Sequence, residues 1–263
     1  YIKIHRDARG KINIEMEPEE PAQLKDYLIS PVLRETFLQK RLLVEFPLYR
    51  VSYYLADIFG DTAIYDFDPK LPKRAVPIVG KTELEEDGSN LALILKNLLS
   101  KKGEREQFLN LMRNLLPFIN KLDVEKFADK SLLFKLREAY FNTYLPATLI
   151  SDGTIHLTAL ILALYFERKP LVIIEEPERN IHPHLISKVV QMMKEASEKK
   201  QVIVTTHNPE VVRHAGLENL LLIKRDEDGF STIFRPSDKE GVKTFLEQEI
   251  GIEELYVQDL LGV

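Results

Sequence analysis

The sequence predicts an α/β fold: a sheet with flanking helices, a mainly helical insertion ahead of it and a β hairpin at the N-terminus. Three observations carry that prediction. An apolar strand at 170–175, a helix-period stretch at 183–199 and a second apolar strand, "QVIVTT" at 201–206, follow one another. Strand, helix and strand in that order indicate a parallel βαβ unit, because parallel strands need a crossover between them. Alternation in "YIKIH" and "KINIEM", joined by "RDARG", reads as a hairpin over 1–16. Leucine-rich stretches of helical period occupy much of the chain between about 20 and 122.

Taken in order, the elements are these. Residues 20–41 set Leu24, Leu28 and Leu33 among charged residues and read as a helix, as does "FPLYRVSYYLADIF" at 46–59. "TAIYDFDPKLPKRAVP" at 62–77 is a strand followed by a proline-rich connection. "NLALILKNLLS" at 90–100 is an amphipathic helix capped by Ser89 or Asn90, and 104–122 continues the helical region. Two strand-like stretches follow, at 122–128 and 132–140. Residues 154–167 are an apolar helix. In the helix at 183–199, Ile186, Val189, Val190, Met193 and Ala196 share one face. "NLLLIKRD" and "FSTIFRP" form a hairpin around "EDG". No repeat, low-complexity tract or heptad run appears.

Composition bounds the function. With 263 residues and 44% hydrophobic content, the chain can bury a sizeable core. Net charge is −5, which argues against a broad nucleic-acid face but leaves room for a local one. The absence of cysteine excludes disulfides and thiolate metal sites. No apolar run is long enough to cross a bilayer and no signal-peptide pattern opens the chain, so a cytoplasmic protein without membrane association is expected. The opening at Tyr1, in mid-strand and without an initiator Met, leads us to expect a fragment of a longer protein.

Chemistry concentrates in three places. In "LVIIEEPERNIHPHL", the strand runs directly into two adjacent carboxylates, Glu175 and Glu176. In open α/β sheets, ligands sit beyond the carboxyl ends of the strands. "TTHNPE" ends the neighbouring strand and brings His207 to the same edge. Adjacent carboxylates repel; a bound Mg²⁺ relieves that, and the second carboxylate can then take a proton from water. The plainer alternative is a solvated loop. Ser151, Asp152, Gly153 and Thr154 lead into a helix whose first amides suit an anion, although an ordinary N-cap explains the same residues. His182 and His184 flank Pro183 at a helix start, where capping or packing outweighs metal ligation.

The order "SDGT", "LVIIEEPE", "TTHNPE" resembles the C-terminal half of an ABC-class ATPase, closest to the RecF/SMC-like ATPases and the ATPase part of OLD-family proteins. "YDFDPKLPK" and "EDGSNLALILKNL" resemble further segments of that group, so the likeness runs from about 62 to 235. The resemblance implies a P-loop NTPase-like sheet, with ATP and Mg²⁺ as ligands. It places Ser151, Asp152, Gly153 and Thr154 at the signature motif, which meets nucleotide held by another subunit. Glu175 stands at the metal-holding position in place of the usual aspartate, and Glu176 at the catalytic base. His207 falls at the γ-phosphate switch, with Arg179 and Asn180 in the loop near the dimer interface. The implied division is a hairpin and helical segment at 1–80, a helical signature subdomain at 81–145 and the C-terminal ATPase lobe at 146–263.

A phosphate loop needs G-x-x-x-x-G-K-[ST]. Gly80, Lys81 and Thr82 supply its end, but Ala75 stands at the first glycine, Pro77 removes an amide and an acidic run follows in place of a helix. We read it as a decoy. The expected function is the C-terminal portion of an ABC-type ATPase, inactive alone, serving DNA repair or maintenance or phage defence. Its partners are a second copy through the ATPase face or a chain supplying the missing loop, with DNA as a family expectation. The alternatives are a non-catalytic partner module of a split ATPase and, more weakly, a metal-dependent nuclease using Glu175, Glu176, Glu178, His182 and His207.

Overall fold

The computed structural model describes residues 2–6, 12–16, 61–127, 130–225, 229–239, 241–242 and 251–260. The helices expected at 20–41 and 46–59 lie outside them. The chain divides into two compact units, Tyr1–Thr62 and Ala63–Val263. In the first, β1 (Ile2–Arg6) pairs antiparallel with β2 (Ile12–Met16), from Ile2 opposite Met16 to Arg6 opposite Ile12, which is the expected hairpin.

The second unit holds the sheet that positions the site. It opens within β3 (Thr62–Tyr65), whose first residue closes the first unit, and begins its helical part with α1 (Leu91–Leu99) and α2 (Lys102–Leu115), after a two-residue strand, β4 (Val76–Pro77). In α1 the apolar face buries Leu91, Ala92, Leu95 and Leu98. Asn90 sits at the N-cap position, but its side chain makes no cap bond. Its amide instead donates to the carbonyls of Lys81 (3.3 Å) and Glu83 (2.7 Å) and accepts from the Glu85 N–H at 2.9 Å, stapling the preceding loop.

Helix α2 ends at Leu115, earlier than expected. Pro117 follows, and from Ile119 the chain becomes β5 (Ile119–Phe127), antiparallel to β6 (Ser131–Glu138). The short β7 (Leu145–Pro146) and β4 both pair with β6 along the edge away from β5. Among the described residues, the stretch read as mainly helical thus contains two helices and a four-stranded antiparallel sheet. Its buried residues alternate along β6 as Leu132, Phe134 and Leu136, the period that marks a one-sided strand.

Helix α3 (Asp152–Ile161) continues as a π turn over Leu162–Phe166 and is buried almost all round. It leads to β8 (Leu171–Glu175), α4 (Pro183–Ser197) and β9 (Gln201–Thr205). Strands β8 and β9 are parallel, in register from Leu171 opposite Gln201 to Glu175 opposite Thr205, and the sheet order is β3-β8-β9. The predicted face of α4, Ile186, Val189, Val190, Met193 and Ala196, is buried. One face of the sheet, with Ala63, Tyr65, Val172 and Ile174, joins the main core. The other carries Ile64 and Ile203, which are 48% and 42% exposed. Parallel sheets are ordinarily covered on both faces.

Beyond β9 come α5 (Pro209–Ala215) and the hairpin of β10 (Leu222–Arg225) and β11 (Ser231–Phe234). A terminal helix, α6 (Ile252–Val257), packs on α5 through a small cluster that includes Val212, Leu220 and Leu255. Among the described residues, no helix is long and apolar enough to cross a membrane.

Candidate functional site

The site forms where the parallel pair ends. Glu175 is the last residue of β8 and is exposed, opposite Thr205. The Glu176 N–H donates to the Thr205 carbonyl at 3.0 Å, extending the ladder by one bond. The chain then turns sharply. Glu176 has φ +40° and Asn180 has φ +61°, in the left-handed region that asparagine tolerates and glutamate rarely adopts. His207 is exposed, two residues beyond Thr205, in the turn from β9 to α5. Asn208 caps α5 by accepting from the Glu210 N–H at 2.9 Å.

The turn at 176–180 is held from four directions. Arg179 donates to Glu176 Oε2 from Nε at 3.1 Å, and its Nη2 lies 3.1 Å from the same oxygen. From Nη1 it donates to Asp66 Oδ1, in the segment after β3, at 2.7 Å. Glu178 Oε1 accepts from the Thr206 hydroxyl at 2.5 Å, while its Oε2 is buried without a hydrogen-bond partner.

Helix α3 makes the remaining two contacts. Ser151 is its N-cap and is exposed; its Oγ accepts from the Thr154 N–H at 3.2 Å and lies 2.8 Å from the Thr154 hydroxyl. Asp152 pairs with Lys73 at 2.5 Å. A Cβ on Gly153 would stand 2.5 Å from the Asn180 carbonyl oxygen, so only glycine lets the helix approach this closely. One turn further on, the buried His156 donates from Nε2 to the Pro177 carbonyl at 3.1 Å. Burial pushes the imidazole down to about 4, which keeps it neutral, and Nδ1 has no partner.

The structure therefore brings Glu175, Glu176 and His207 to one sheet edge and joins Ser151–Thr154 to the Arg179–Asn180 turn. A cleft of about 400 Å³ opens beside this junction, lined by Asp66, Asp68, Pro69, Lys70, Asp152, Arg179 and Asn180. Gly80 and Thr82 lie in bends, and no helix begins between Thr82 and Leu91; Lys81 pairs with Glu85 at 3.4 Å. They do not form a phosphate loop. His182 caps α4 by accepting from the His184 N–H at 3.4 Å, and the two Nδ1 atoms are 2.6 Å apart. Among the described residues, no group of three or more His, Asp or Glu side chains is placed to hold a metal ion.

Sequence reasoning missed Asp66 and His156. A histidine inside the apolar run 154–164 was the available signal for the second. For Asp66 the signal was its place in "YDFDPKLPK", which did not reveal its partner, distant in the chain.

A family profile described as "AAA domain, putative AbiEii toxin, Type IV TA system" matches residues 54–213. The Septu protein PtuA of Bacillus thuringiensis is 30% identical over 94 residues, which is 35% of this chain and 22% of PtuA; the chain thus spans about a fifth of that relative. Among solved structures, the Smc head domain with a coiled coil and joint from Pyrococcus yayanosii is similar at 23% identity and TM-score 0.40, covering 55% of this chain and 28% of the other. An SmcHead bound to the C-winged helix domain of ScpA is similar at 18% identity and TM-score 0.46, covering 69% and 60%.

Proposed function

We propose a function from one premise: the chain belongs to the AAA-domain family of AbiEii-toxin type, a group of ATPases of ABC and SMC-like kind. The chain is the C-terminal portion of an ATPase that hydrolyses ATP between two subunits. Glu176 accepts a proton from the water that attacks the γ-phosphorus, as the bond from that phosphorus to the bridging oxygen breaks. Bound Mg²⁺ supplies charge neutralisation at the phosphates, and the exposed carboxylate of Glu175 would hold it, directly or through water. His207 faces the γ-phosphate. Ser151, Asp152, Gly153 and Thr154 meet the triphosphate held by a second copy, where the amides of α3 favour negative charge. Arg179 and Asn180 lie near that interface.

The observation that carries this reading is the convergence of Glu175, Glu176 and His207 at the carboxyl edge of β8 and β9, with the mouth of α3 joined to the same turn. The open apolar face at Ile64 and Ile203 supports a second element of it. A lobe carrying the phosphate loop, on the same polypeptide or another, would cover that face. For the biological setting, the toxin–antitoxin description of the family sits closer to phage defence than to DNA repair or maintenance.

The test is turnover by the full-length polypeptide that carries this sequence. Glu176→Gln should lower the rate by roughly 10²- to 10⁴-fold, the range for losing a general base, and leave nucleotide binding intact. Unchanged turnover would reject the assignment.

A further inference from the structure

All three guanidinium nitrogens of Arg179 are engaged within the protein. Nε and Nη2 address one oxygen of Glu176, while Nη1 binds Asp66 across the cleft. One oxygen of the carboxylate assigned as proton acceptor is therefore already occupied, and its orientation is fixed. Two donors on Oε2 take up that oxygen's lone pairs and hold the carboxylate turned towards Arg179. Held this way, Glu176 also keeps a backbone angle unusual for its residue type.

The pair can be opened from outside. Arg179, Glu176 and Asp66 are each about two-fifths exposed, and Arg179 and Asp66 line the cleft. Asp152 and Asn180 line it too, so its wall includes the first turn of α3. The close approach of Gly153 to the Asn180 carbonyl means that a shift at 151–153 is passed to residue 180, next to Arg179. A polyanion set against the mouth of α3 would compete with Glu176 for the guanidinium, since phosphate oxygens suit its forked donors as well as a carboxylate does.

We propose that Arg179 is a nucleotide-sensing latch: anchored by Asp66, it occupies Glu176 in the single subunit and releases it when a triphosphate held by a second copy arrives at Ser151–Gly153. This rests on Glu176 being the proton acceptor. It makes Arg179 a positioning residue acting through Glu176.

The experiment measures ATP turnover by the full-length polypeptide across a range of protein concentrations, for wild type, Arg179→Ala, Arg179→Gln, Arg179→Lys and Glu176→Gln. A melting curve for each variant confirms folding. The latch predicts that Ala and Gln raise the rate at low protein concentration by roughly two- to fivefold, the span a partly exposed ion pair can supply. They also flatten the dependence on protein concentration, and Lys restores most of it. A fall in the rate, or an unaltered concentration dependence, with Ala and Gln both folded, overturns the latch alone. Turnover indifferent to Glu176→Gln overturns the parent assignment and the latch with it.

Discussion

Replacing His156 by glutamine should flatten the acid sensitivity of folding. The imidazole is buried and held neutral, with its titration pushed from 6.5 down to about 4, first by desolvation. A base whose folded value lies below its unfolded value binds protons preferentially when unfolded. Stability from this group is therefore complete above about pH 6.5 and falls as the pH drops from there towards 4. At pH 5 the unfolded chain gains a factor of about 30 from protonating this ring, and RT ln 30 is about 2 kcal/mol. Glutamine carries its amide nitrogen near the position of Nε2 and can still donate to the Pro177 carbonyl, but it does not titrate. Urea unfolding at pH 7.5, 6 and 5 measures the difference. Wild type should lose about 2 kcal/mol more than the variant between the first and last. Parallel losses would mean that the ring is solvated or already charged in the fold, and would refute its role as a neutral strut.

Two further substitutions follow from the packing. Gly153→Ala places a methyl 2.5 Å from a backbone oxygen that cannot rotate away, so the start of α3 must part from the 176–180 turn. A cost of about 1–3 kcal/mol is expected by denaturation, together with reduced turnover in the full-length polypeptide. Tyr65→Phe removes the hydroxyl that donates to Glu167 Oε2 at 2.7 Å. The other oxygen of Glu167 keeps its bonds from the N–H groups of Arg168 and Lys169, so urea unfolding should report only about 1 kcal/mol of lost stability.

How far the sequence revealed this arrangement depended on the range of the interaction. The hairpin at 2–16, the βαβ unit and the buried face of α4 each follow from periodicities within about 15 residues, and the structure has them. The end of α2 was less legible. Leu115, Leu116, Phe118 and Ile119 continue an apolar run through Pro117, and only the pairing of Ile119 with Glu138, nineteen residues on, turns that run into strand. Asn90 misled for a related reason. It has the type and position of a cap, yet three backbone groups of the preceding loop compete successfully for its amide. At the site, the glutamates and the glycine were visible as residue types. What they touch was not, because Arg179 and Asp66 are 113 residues apart.

Contacts from other elements also explain why a glutamate sits at φ +40° at all. A strand that ended in an ordinary loop would relax Glu176 into an extended or helical backbone, gaining about 1–3 kcal/mol. Here relaxation is opposed at both ends of the turn. The ladder bond to Thr205 fixes the Glu176 N–H, and the N–H groups of Arg179 and Ile181 close back onto the carbonyls of Glu176 and Glu178. Gly153 and His156 press the same five residues from α3, one helical turn apart. None of these contacts suffices alone, but each needs the turn in this one shape. The backbone shape of the turn is thus set by a neighbouring strand and a helix that differ in sequence position by some fifty residues. A change at either must reshape the turn that carries Glu176, which is what its proposed role as a base acting between two subunits requires.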